Sequence, residues 1–191
     1  MLVLRILSFG AVLFYLSCNQ EQRNKYAGEP LSSEDSIQNK MEADSGVLTD
    51  DDKRFVKSVA FSSLVEMEAG KLSLEKTDDS AIQSFGRLLV NEHKQLAKDL
   101  KEVVAQRDVE FPTTLDNAHK NKIAHLSTKS GRAFEMAFIK LMIDNHTASL
   151  RLYDEAGAHA KDVHIQSFAN KNIPIIREHL RIANQLNDNL K

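Results

Sequence analysis

Four side chains in this sequence could do chemistry together: Glu66, His93, His146 and His179. Three imidazoles and a carboxylate are ligand types that suit zinc, copper or iron. Each histidine stands on an apolar helical stripe. His93 falls four residues after Leu89 and three before Leu96, His146 follows Met142 by four, and His179 sits between Ile176 and Ala183. A polar ring on an apolar face needs partners inside. The set is therefore read in two ways, as a metal site or as core histidines bonded to one another, to Glu66 or to buried water.

Other chemistry is not signalled. There is no Gly-rich phosphate loop, no Gly-x-Ser-x-Gly, no Cys-x-x-Cys and no His-Glu-x-x-His. We assign no catalytic residue. The Glu-x-x-His pairs of di-iron bundles are also missing, because Glu92-His93 and Glu178-His179 are adjacent pairs. Helical neighbours diverge by roughly 100°, so both members of a pair cannot aim into one core site. His119, His125, His159 and His164 fall in connecting or terminal segments and are expected to face solvent.

Four long helices must position the set. Thr49 followed by Asp50, Asp51 and Asp52 is a helix start, and the first helix is expected to run to about Glu75. Its apolar side reads Phe55, Val56, Ala60, Leu64, Met67 and Leu74. Asp78 and Asp79 open a second helix, carried by Ile82, Phe85, Leu89, Leu96, Leu100 and Val104 to about Arg107. Phe111-Pro112 ends it. A short helix fits between Thr113 and Lys129. Ser130-Gly131 starts the third long helix, with Phe134, Phe138, Leu141 and Met142 on its stripe and His146 and Tyr153 along an edge. It lasts to about Ala158. Asp162 caps the fourth, where Pro174 should kink the helix or split it.

The connections are short, long and short. The short ones make two antiparallel hairpins. The long one can cross the length of the bundle, giving a ferritin-like arrangement, or fold back into a plain up-down-up-down bundle. A rise of about 1.5 Å per residue places Glu66 about 16 Å and His93 about 24 Å from the first hairpin's turn. If the long link crosses over, His146 falls about 22 Å and His179 about 15 Å along the same axis. All four would then meet at mid-bundle. Glu135 would lie near one end, where an acid is explained by the helix dipole.

Four stretches, FSSLVEMEAGKL (61–72), AIQSFGRLLVNEHKQL (81–96), SGRAFEMAFIKLMIDNH (130–146) and NIPIIREHL (172–180), resemble the motif blocks of the family called domain of unknown function 4142. The likeness covers residues 50 to 188. It implies an exported bacterial protein with a ferritin-like helical fold and no established activity. Glu66, His93, His146 and His179 match the family pattern, whereas Glu92 and Glu135 stand where Asp is usual. The fold expected is all-α: a ferritin-like four-helix bundle with a short extra helix in the link between helices two and three.

The chain's 191 residues fit one domain and tails, and the formal charge of -2 advertises neither nucleic acid nor an anionic membrane surface. Met1 to Ser17 carries Arg5 and an apolar run from Ile6 to Leu16, too short for a span. Tyr15-Leu16-Ser17-Cys18 resembles a bacterial lipoprotein signal. Residues 1–18 are thus expected to be a signal peptide ending at a lipidated Cys18, residues 19–48 a disordered tether, and residues 49–191 the bundle. The expectation is an exported envelope protein in the periplasm or outer membrane, held to the membrane by its lipid. A zinc, copper or iron ion at Glu66, His93, His146 and His179 is the functional reading. A structural or stress-related interaction protein is the alternative, and a metal-dependent oxidoreductase is the least favoured.

Overall fold

The structure, a computed structural model, describes residues 47–190. The expected signal peptide, Cys18 and the tether up to residue 46 lie outside the described residues. Five helices follow: α1 (Asp50–Lys76), α2 (Ser80–Val103), α3 (Asn117–Ser127), α4 (Gly131–His159) and α5 (Val163–Asn189). Among the described residues, no helix is long and apolar enough to cross a membrane.

The helix starts follow from local chemistry. Thr49 and Asp52 form a reciprocal capping box, Thr49 Oγ1 accepting from Asp52 N and the Asp52 carboxylate from Thr49 N. Asp79, Asp116 and Asp162 cap α2, α3 and α5 with their side chains. Ser130 makes no such bond, and Gly131 beside it takes a φ of 51°. That left-handed backbone suits glycine.

Two apolar clusters define the topology. One gathers Phe55, Val56 and Val59 of α1 with Leu96 and Leu100 of α2, Tyr153 and Ala156 of α4, and Ile165, Phe168 and Ile176 of α5. The other gathers Ala69 of α1 with Ile82, Phe85 and Leu89 of α2, Phe134, Phe138 and Met142 of α4, and Ala183 and Leu186 of α5. The first end thus holds the starts of α1 and α5 and the finishes of α2 and α4. Hence α1 is antiparallel to both α2 and α4, and α2 runs parallel to α4. The link carrying α3 traverses the bundle's length, which is the ferritin-like alternative.

Three details differ from the sequence reading. The second helix stops at Val103 rather than Arg107, and residues 104–107 make turns of the 3₁₀ kind (Arg107 N to Val104 O, 3.0 Å). The inward face of α1 is also rotated. Leu74 is exposed, and Ser63, Glu66, Gly70 and Ser73 are buried instead. Small residues let the first hairpin close: a Cβ on Gly86 would meet Gly70 O at 2.8 Å. Finally, Leu48, assigned to the tether, is buried in the first cluster. Pro174 sits inside an otherwise continuous α5.

Candidate metal centre

Between the two clusters, each long helix contributes one histidine or glutamate. Glu66 comes from α1, His93 from α2, His146 from α4 and His179 from α5, and all four are buried. The structure therefore brings all four sequence-selected residues together. Crossover of the long link is what permits this, since it sets α4 antiparallel to α1 with His146 at the level of Glu66. His146 also lies at the centre of the α4 face rather than on its edge, as does Tyr153.

Ligand atoms of His93, His146 and His179 all lie within 4.8 Å of one another. His146 Nε2 is 3.2 Å from His179 Nδ1 and 3.4 Å from Glu66 Oε2. His93 Nε2 is in ion-pair contact with the same Glu66 oxygen. That contact occupies Glu66 Oε2 and His93 Nε2, whereas Glu66 Oε1 and His93 Nδ1 are buried without any partner. Such groups are rare in native cores and call for water or an ion.

The outer nitrogens are committed. His146 Nδ1 lies 2.8 Å from Met142 O, one turn back on its own helix. His179 Nε2 lies 2.8 Å from Glu92 Oε2. Carboxylate and carbonyl partners of this kind fix the tautomer and aim the opposite nitrogen. Glu92 is the residue that sequence reasoning passed over. It does point about 100° away from His93, as the adjacent-pair argument required. That direction is toward α5, so Glu92 reaches His179 from outside the core with its side chain 41% exposed. Only the pairing of α2 with α5 reveals it.

Charge is arranged asymmetrically. Burial opposes ionisation of Glu66, but the imidazoles of His146, His93 and His179 outweigh it and hold the carboxyl down to about 2. Burial pulls His146 below its ordinary value, with Glu66 acting against it. Burial and then the neighbouring His93 and His146 bring His179 to about 3. At neutral pH an ionised carboxylate therefore faces rings of which His146 and His179 are neutral. A carboxylate at such depth is costly without a compensating positive charge.

The remaining candidates are elsewhere. Glu178 pairs with Arg181 on the surface. Glu135 accepts from Thr77 Oγ1 at 2.5 Å and ties the first hairpin's turn to the start of α4. His125 and His159 are exposed as expected, and His164 is half-buried. His119 departs from expectation: it stacks on Phe61 of α1 (centroids 4.8 Å, interplanar 12°), with Asp116 on its Nδ1. A surface groove of about 420 Å³ beside Phe55 and Lys161 touches none of the four central residues.

Fold and site together define a four-helix bundle with one crossover and a buried His₃Glu cluster. The chain belongs to the family described as Domain of unknown function (DUF4142), which it matches over residues 38–186. It is also similar to a solved structure, the crystal structure of a DUF305 fragment from Deinococcus radiodurans. That likeness has a TM-score of 0.65 at 14% identity and covers 75% of this chain and 99% of the other. At that identity it speaks for the helical-bundle fold alone. The search of curated proteins returned no match.

Proposed function

We propose that the bundle holds a transition-metal ion at its middle, bound by Glu66, His93, His146 and His179. The observation that carries this is the opposed pair of nitrogens. Met142 O can only accept, so His146 Nδ1 bears a hydrogen, and the Glu92 carboxylate takes the hydrogen of His179 Nε2. In neutral rings, lone pairs then remain on His146 Nε2 and His179 Nδ1, which face each other at 3.2 Å. They repel unless a cation lies between them. Two nitrogens bound to zinc at about 2.0–2.1 Å in a tetrahedral site would stand roughly 3.3–3.4 Å apart. Copper and iron also accept imidazole. Bound there, the ion would offset the Glu66 charge and join four helices.

The protein is placed outside the cytoplasm, in the periplasm or outer membrane, lipid-anchored through Cys18. Support comes from the short apolar run before Cys18 and the polar, aperiodic stretch that follows it. Its role there is ion binding without catalysis. A purely structural cluster is the second reading, favoured by the same 3.2 Å separation, which a shared proton would also satisfy.

Elemental analysis of the full chain, purified without affinity-tag histidines or chelators, tests the reading. It should be run beside a variant with His93, His146 and His179 all changed to Ala. Near-stoichiometric zinc, copper or iron in the parent and none in a folded variant is expected. A parent that is metal-free and binds none of the three when they are added would refute metal binding and leave the structural reading.

A further inference from the structure

We propose that a water-sized oxygen ligand, water or hydroxide, occupies the layer of the bundle framed by Ser63, Glu66 and Tyr153, beside the cluster. Ser63 Oγ, Glu66 Oε1 and the Tyr153 hydroxyl are buried and bonded to no protein group, while Glu66 Oε2 faces His93 and His146. All three residues are nearly solvent-free, at 1%, 0% and 2% exposure. Ser63 and Tyr153 play no part in holding the ion.

Helix register puts these groups in one place. Ser63 precedes Glu66 by three residues on α1, and Tyr153 follows His146 by seven on α4. Because α1 and α4 are antiparallel and Glu66 meets His146, both shifts lead toward the same end of the bundle. The backbone rise is about 4.5 Å for Ser63 and about 10.5 Å for Tyr153. Long helical side chains lean toward their own N-terminus, so the Tyr153 phenol leans back toward the cluster and closes much of that gap.

The phenol cannot leave. Phe55 packs edge-on against it at 5.3 Å, and Phe168 lies at 6.2 Å. Burial and then the Glu66 charge keep its proton on, so it remains a donor. Tyr153 and Ser63 each donate and accept, while the Glu66 carboxylate accepts only. A buried water makes about three hydrogen bonds to such groups, and the layer offers three partners. Glu66 would bring an ion to the edge of this layer, and zinc can expand from four ligands to five, so the oxygen is placed to serve as that ion's exchangeable ligand. This second clause rests on the metal reading, whereas the first does not.

A crystal structure of the full chain grown with zinc tests the two separately. An ordered oxygen within hydrogen-bond distance of both Ser63 Oγ and the Tyr153 hydroxyl is expected. No ordered oxygen there overturns the proposal whether or not an ion is found. An oxygen without an ion at the histidines sustains the site and refutes the metal reading. In solution, azide is added to the cobalt(II)-loaded chain and the visible absorption followed. Saturable change is expected, with about threefold to tenfold weaker azide affinity in Tyr153→Phe, the span of one net hydrogen bond. Ser63→Ala gives a second variant should Tyr153→Phe fail to fold. Bound cobalt whose spectrum ignores azide overturns the exchange.

Discussion

In the chelator-treated chain, lowering the pH from 7 to 5 should destabilise this protein through His179. The folded value of about 3 lies below the ordinary 6.5, so the unfolded chain binds more protons throughout the interval between them. The stabilisation is present above pH 6.5 and declines as pH falls toward 3. At pH 5 an unfolded imidazole is about 1.5 pH units below its midpoint, while buried His179 is still neutral. At about 1.36 kcal/mol per unit, His179 alone loses roughly 2 kcal/mol of stability. The figure depends on the unfolded value as long as the folded one stays below 4. For a domain of this size it lowers Tm by roughly 6–8 °C. His146, also depressed by burial, adds in the same direction. Thermal unfolding of the chelator-treated chain, followed by circular dichroism at constant ionic strength, measures it. His179→Gln should lose that part of the slope. A flat Tm between pH 7 and 5, or an equal slope in the variant, would show that His179 is not held neutral in the core.

Glu92→Gln keeps the side-chain shape but weakens the acceptor for His179 Nε2, and as Glu92 is partly exposed the fold should persist. Zinc affinity measured by competition should fall about tenfold to a hundredfold, and unchanged affinity would deny Glu92 an orienting role. Gly86→Ala should cost about 1–3 kcal/mol in denaturant unfolding. Its Cβ would press on Gly70 O, which cannot move without separating α1 from α2. A gain in stability would mean helix propensity wins. Asp162→Ala removes the cap on His164 N and Ile165 N and one ion-pair contact of Arg107. A loss of about 2–4 kcal/mol is expected, and a change under about 0.5 kcal/mol, the range of ordinary surface substitutions, would contradict it.

The helices and most of their ends were legible in the chain. Thr49, Asp79 and Asp162 mark starts because a short polar side chain satisfies free N–H groups locally, without knowledge of the rest. Periodicity also put His93, His146 and His179 on inward faces. The course of the long link was not legible, since residues 104–130 are long enough to cross the bundle or to turn back. Nor was the rotation of α1. Gly70, Ser73 and Gly86 carry little hydrophobic signal, yet their smallness decides how closely α1 and α2 approach and which side faces inward.

The sequence by itself determined how far along its own helix each of the four polar residues lies, because helical rise is a property of each helix alone. Only the tertiary structure decided what surrounds them. Glu92 reaches His179 because α2 and α5 are neighbours, and Ser63 and Tyr153 lie on the same side of the cluster because α1 and α4 run in opposite directions. Those relations depend on helix pairing, which local spacing does not encode.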